Sequence, residues 1–178
     1  MRPSRDVWAL QMAKLVSTRA TCLRRQVGCV LLNAKGHVLA TGYNGRPAGF
    51  PHCDHEEVEW YDYKPFGDQS NHEIMRPTKS QIIHPCACNG ADAVSGKDLD
   101  SCQAIHAEQN AMLQCKNVYE IDTAYITCSP CMTCTKLLLN TSCRRIVYIE
   151  EYAHSEWKEM WEQMGRESLC IPVDIISE

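Results

Sequence analysis

The sequence predicts one α/β domain in which a mixed sheet of five strands carries helices on both faces. Three observations lead there. Helix-like apolar stripes and strand-sized apolar runs follow one another in the order α-β-β-α-β-α-β-α-β. The 178 residues match the size of one ordinary domain. With 44% hydrophobic and 22% charged residues, the chain has the composition of a folded protein.

The first helix is expected from about Asp6 to Arg19. Val7, Leu10, Ala13, Leu15 and Val16 form its apolar stripe, and Ser4 or Asp6 can cap it. Val27-Gly-Cys-Val-Leu-Leu32 reads as a buried strand. Asn33-Ala-Lys-Gly36 makes a turn, and His37 to Gly42 returns as the hairpin partner. From Tyr43 to Gln103 the periodicity is lost, and Pro47, Pro51, Pro65, Pro77 and Pro85 punctuate the stretch. So long an irregular segment inside a domain calls for something functional or metallic to order it. Regularity resumes with a helix over 106–116, a strand from Thr123 to Thr127 and a helix from Cys131 to Asn140 introduced by Pro130. A strand from Arg145 to Glu150, a helix over 155–164 capped by Ser155 and a last short strand from Ile171 to Ile175 complete the pattern.

Charge and apolar content narrow the function. Eighteen basic residues against 22 acidic ones leave a net charge of -4, which disfavours a grip on long nucleic acid. A small phosphorylated ligand held by a few local cations remains compatible. The longest uninterrupted apolar candidate, Cys29 to Leu32, is strand-sized, so no membrane span is expected. The opening Met1 to Asp6 lacks the apolar core and cleavage site of a secretory signal, and a cytoplasmic location is expected. In that compartment twelve cysteines point to metal binding or thiol chemistry before disulfides.

The chemistry concentrates in three pieces: His106-Ala-Glu108, Pro130-Cys131 and Cys134. Zinc favours imidazole and thiolate, and a catalytic zinc keeps three protein ligands and one open position. Cys131 and Cys134 lie three apart at a helix start, so both sulfurs can face one point near the positive end of the helix. His106 supplies the third ligand. Glu108, two residues on, stands near the metal yet is free to carry protons, which is the arrangement of zinc-assisted hydrolysis. A redox pair is the rival reading of Cys131-Met-Thr-Cys134, but no thioredoxin-like unit surrounds it. A structural zinc would usually claim a fourth protein ligand.

The His-x-Glu and Pro-Cys-x-x-Cys combination is the signature of zinc deaminases. Gly42-Tyr-Asn-Gly45, His106-Ala-Glu-Gln-Asn-Ala111 and Ser129-Pro-Cys-Met-Thr-Cys134 together resemble the deoxycytidylate deaminases, particularly their bacterial and phage branch. The likeness runs from Arg5 to about Val173 and is weakest over 54–101. It implies a cytidine-deaminase-like three-layer α/β/α sandwich over 1–178, with a cysteine-rich zinc-binding insertion at about 46–104. It also implies conversion of dCMP to dUMP with release of ammonia, supplying dUMP for thymidylate synthesis. In that scheme His106, Cys131 and Cys134 hold the catalytic Zn2+, and Glu108 protonates N3 and then the leaving amino group. The backbone at Ala107 and Ser129 would meet the pyrimidine edge and Asn44 the sugar or base. Arg25, Gln26 and Tyr152 would neighbour the 5′-phosphate.

The resemblance carries two further expectations. A second, structural Zn2+ would be held by Cys22, Cys53 and Cys102 with either Cys86 or Cys88. Regulation by dCTP as activator and dTTP as inhibitor, with Mg2+, would fall on the loop Gly42-Tyr43-Asn44-Gly45-Arg46 and onward to Gly49. Its glycines let backbone approach phosphates, and Arg46 adds a cation. A homo-oligomer, a hexamer by resemblance, is expected. The remaining Cys29, Cys115, Cys128, Cys143 and Cys170 read as core residues. Competing functions are a polynucleotide deaminase, a nucleoside or free-base deaminase, and a non-catalytic zinc nucleotide sensor. The first needs a basic, aromatic-lined channel, which the net charge and two phenylalanines disfavour. The second needs no phosphate pocket, and the third has no use for Glu108.

Overall fold

A computed structural model describes residues 2–50, 52–53 and 102–176. Helix α1 spans Arg5–Ser17 and starts where Ser4 Oγ accepts a hydrogen bond from the Val7 backbone N–H at 3.2 Å. Strand β1 (Gly28–Leu32) and strand β2 (Val38–Tyr43) form the expected antiparallel hairpin. Its turn is closed by Asn33, whose side-chain oxygen accepts from the N–H groups of Lys35 and His37, and by Gly36 at φ 85°.

The second half alternates helix and strand. Helix α2 (Ala107–Gln114) leads through a 3-10 turn at Val118–Glu120 to β3 (Thr123–Cys128). Helix α3 (Met132–Leu139), β4 (Arg145–Glu150), helix α4 (Glu156–Gln163) and β5 (Glu167–Cys170) follow. The sheet order is β2-β1-β3-β4-β5. β1 pairs antiparallel with both its neighbours, whereas β3, β4 and β5 run parallel. The mixed five-stranded sheet is therefore as the sequence predicts.

Alternation along the strands divides the core into two layers. Val30, Leu32, Tyr125, Val147 and Ile149 pack with Ala9, Leu10 and Ala13 of α1 on one face. Cys29, Leu31, Ala124, Ile126, Ile146 and Tyr148 pack on the other with Ala107 and Ala111 of α2, Leu138 of α3, and Trp157 and Trp161 of α4. β1 is buried along its whole length because both faces are covered.

The last strand departs from expectation. It lies at Glu167–Cys170, and the predicted strand at 171–175 is replaced by a short helix α5 (Val173–Ile176). Pro172 is the physical reason, since it has no N–H for a ladder and its fixed φ suits a helix entry. Its carbonyl accepts from Ile175 N at 3.2 Å. Ile176 is then buried against α1. Ser155 precedes α4 as predicted but makes no side-chain capping bond.

Candidate active site

Two helix N-termini converge on one face of the sheet. His106 occupies the N-cap of α2, where the Gln109 side-chain oxygen accepts from the His106 N–H at 2.9 Å. Cys131 occupies the N-cap of α3 and Cys134 its first turn. The spacing of the two cysteines therefore serves the helix start and the site at once. Nδ1 of His106 lies 3.4 Å from Cys131 Sγ and 3.5 Å from Cys134 Sγ. All three donor atoms fall within 4.8 Å of one another, and Cys134 is buried.

This donor set fits zinc. A tetrahedral ion with usual bond lengths to nitrogen and sulfur holds those atoms roughly 3.5 Å apart, close to the separations seen here. The two thiols differ in acidity. The hydrogen bond from Cys134, followed by His106, pushes Cys131 down to about 4, while the same bond and burial push Cys134 up. Hydrogen bonding to Cys131 raises His106. Binding of a divalent cation to this set would require both thiols to be deprotonated.

Glu108 lies in the first turn of α2 and is only 4% exposed. Burial pushes its carboxyl up to about 7, outweighing the nearby His106 charge. A carboxyl so placed can both take and give a proton near neutral pH. Gly42 makes this position possible. A Cβ there would lie 2.3 Å from the Ala107 oxygen and from the Ala111 nitrogen, so only glycine lets α2 rest on β2.

A cavity of about 360 Å³ opens beside these groups. His106, Ala107, Glu108, Cys131, Asn44, Ser129, Arg25 and Tyr152 from the sequence-predicted set all line it. Gln26 does not; it borders a neighbouring hollow along 20–26 and donates to the Ala20 carbonyl at 3.3 Å. Asn44 is buried with its amide committed to backbone, accepting from Val27 N at 2.7 Å and donating to the Arg25 carbonyl at 2.8 Å. It thereby fixes the loop that carries Arg25. Ser129 Oγ accepts from the Tyr152 backbone N–H at 2.7 Å and so ties the chain at Tyr152 to the cavity wall.

Cys22 and Cys102 line the same cavity, and Cys53 is buried. Cys86 and Cys88 lie outside the described residues. Gly45 bridges to Ile105 just ahead of His106, and Arg46 hydrogen-bonds Gln103, so the Gly42–Arg46 loop abuts the site. Tyr43 contributes its carbonyl to Asn110. Sequence reasoning missed Arg24, which also lines the cavity and is visible only as the doublet Arg24-Arg25 before β1. Of the thiols read as core, Cys29, Cys128 and Cys143 are buried, Cys115 is half-buried and Cys170 on the edge strand β5 is exposed; Cys128 in addition lines the cavity and meets Arg25.

A buried carboxyl stands beside a close cluster of one imidazole and two thiols, at helix starts on a mixed sheet, an arrangement that fits a zinc-binding site of the deaminase signature. The model of the cytidine and deoxycytidylate deaminase zinc-binding region matches residues 3–150, and the chain belongs to that family. Deoxycytidylate deaminase of Enterobacteria phage T2 is 32% identical, with 92% of this chain and 90% of that one covered. The enzyme of the same name from Schizosaccharomyces pombe is 31% identical over 85% of this chain. The chain spans 38% of that relative's length and 41% of the Saccharomyces cerevisiae one. A crystal structure of dCMP deaminase from cyanophage S-TIM5, in complex with dCMP and dUMP, superposes with a TM-score of 0.63 at 23% identity. That match covers 96% of this chain and 99% of the cyanophage one, and it supports the fold.

Proposed function

We propose that the protein hydrolyses dCMP to dUMP and ammonia, supplying dUMP for thymidylate synthesis. The observation that carries this reading is Glu108, buried beside His106, Cys131 and Cys134 in a cavity that is also lined by Arg24 and Arg25. His106, Cys131 and Cys134 would hold the catalytic Zn2+. When bound, that ion acts as a Lewis acid and brings the pKa of a coordinated water toward about 7. Glu108 would accept a proton from water as the water oxygen bonds to C4 and deliver it to N3 of the pyrimidine, then take the remaining proton of the C4 hydroxyl and deliver it to the departing amino group. The C4–N bond breaks as a C4 carbonyl forms, and ammonia leaves. Ala107 and Ser129 line the cavity where their backbones would meet the base. Arg25 and Tyr152 would face the 5′-phosphate, with Gln26 farther back.

The second, structural Zn2+ at Cys22, Cys53, Cys102 and one of Cys86 or Cys88 belongs to the same reading. So do dCTP and dTTP, with Mg2+, at the Gly42–Gly49 loop, a homo-oligomer with the hexamer favoured, and a cytoplasmic site of action. Binding of a triphosphate at this loop would reach the active site through the Gly45–Ile105 bridge. Loss of cytosine absorbance distinguishes the substrates: dCMP, CMP, deoxycytidine and a cytosine-containing oligonucleotide are each incubated with the protein. Turnover of dCMP first among the four is expected; turnover of the oligonucleotide alone would replace this reading with a polynucleotide one. Elemental analysis should give two zinc ions per chain, and a single zinc would remove the structural site.

A further inference from the structure

Arg25 reaches side chains from two neighbouring strands. Cys128 and Glu150 are register partners at the carboxyl ends of β3 and β4, so their side chains leave the same face of the sheet side by side. Arg25 lies across both. One guanidinium nitrogen is in contact with Cys128 Sγ and lies 4.0 Å from a Glu150 carboxylate oxygen. The guanidinium carbon sits 6.0 Å from the centre of the Tyr152 ring. The two partners differ in character. Cys128 is buried, and burial pushes its thiol up to about 11, so it meets the cation as a neutral acceptor. Glu150 is a solvated carboxylate with 66% of its side chain exposed.

We propose that Cys128 and Glu150 set the preference for a 5′-monophosphate over the bare nucleoside by controlling Arg25. The thiol holds the guanidinium at the cavity wall, and the carboxylate occupies it until a ligand phosphate takes its place. Both are positioning residues that act through Arg25, and the inference rests on the dCMP reading above. A carboxylate and a phosphate compete for the same donor fork, and the phosphate carries more charge. An exposed ion pair is weak, so a phosphate displaces Glu150 at little cost. A nucleoside brings nothing that can displace it. Ligands of α/β sheets gather at the carboxyl ends of parallel strands, which is where this pair stands.

The test compares dUMP with deoxyuridine, titrated calorimetrically into the zinc-loaded protein. Glu150→Gln should tighten dUMP about two- to fivefold and leave deoxyuridine unchanged. Cys128→Val, close in volume but without an acceptor, should weaken dUMP about fivefold, whereas Cys128→Ser should stay near the parent. In an Arg25→Ala background both effects should vanish, since the coupling runs through that residue. Equal shifts for both ligands, persistence of the effects without Arg25, or no change in either variant would overturn the inference. An Arg25→Ala protein that keeps the parental dUMP preference would overturn the phosphate reading of the site itself.

Discussion

Glu108 combines two roles of position that a sequence can only half express. Its spacing from His106 places it beside the candidate ligand set, but its raised pKa comes from burial at the start of α2. Glu108→Gln keeps the shape and removes the titrating group. Turnover of dCMP should fall by at least about a hundredfold, the scale of a lost general acid–base, with zinc content at the parental level. A Gln variant turning over near the parental rate would remove Glu108 from the chemistry. His106→Ala should instead lower zinc content, because it deletes a ligand. Residues defined by close spacing, His106, Cys131 and Cys134, were thus legible in the sequence. Cys128 was not: among twelve cysteines, nothing local separates a core thiol from one that a distant arginine reaches across 103 positions.

At the scale of elements, legibility followed burial. β1, β3 and β4 announce themselves because they are sandwiched between helix layers and read as apolar runs. β5 did not, since Glu167-Ser-Leu-Cys170 is a largely exposed edge with only β4 beside it, while the apolar residues after it fold back as α5 behind Pro172. The Gly42-Tyr-Asn-Gly45 motif has an element-level meaning of its own. Gly42 is the contact point of β2 and α2, and Asn44 ties the Arg25 loop to the strand end. Gly42→Ala would force its methyl against the backbone of α2 and push away the helix that carries Glu108 and is capped by His106. A loss of about 2–3 kcal/mol is expected by denaturant titration, together with weakened zinc retention. An unchanged midpoint would mean that α2 does not seat on β2 in this way.

Across the whole molecule, the sheet that carries the candidate site is tied to α1 on its opposite face. Asp6, in the first turn of α1, accepts hydrogen bonds from Tyr125 at 2.8 Å and from two Arg145 nitrogens at 2.7 and 3.0 Å. It thus joins α1 to β3 and β4, the strands whose far ends lead to Cys131 and carry Glu150. Arg145 also bonds Glu167 of β5 at 3.0 Å, extending the tie to the sheet edge. The Arg145 guanidinium holds the Asp6 carboxyl below its ordinary value despite the opposing effect of burial. A depressed folded-state pKa stabilises the fold above the unfolded carboxylate pKa of about 3.9, and this contribution is lost as pH falls through the lower folded value. Both side chains of the pair are 23% exposed, so solvent screening reduces its worth. Asp6→Asn should cost about 1–2 kcal/mol at pH 7 after that discount. Urea titrations of parent and variant at pH 7, 5 and 3 test the sign as well as the size. The gap should be full at pH 7 and 5 and narrow at pH 3 and below, as Asp6 in the parent takes up its proton. A gap that stays constant down to pH 2 would show that the substituted amide disturbs packing and that the charge on Asp6 does not hold α1 to the sheet.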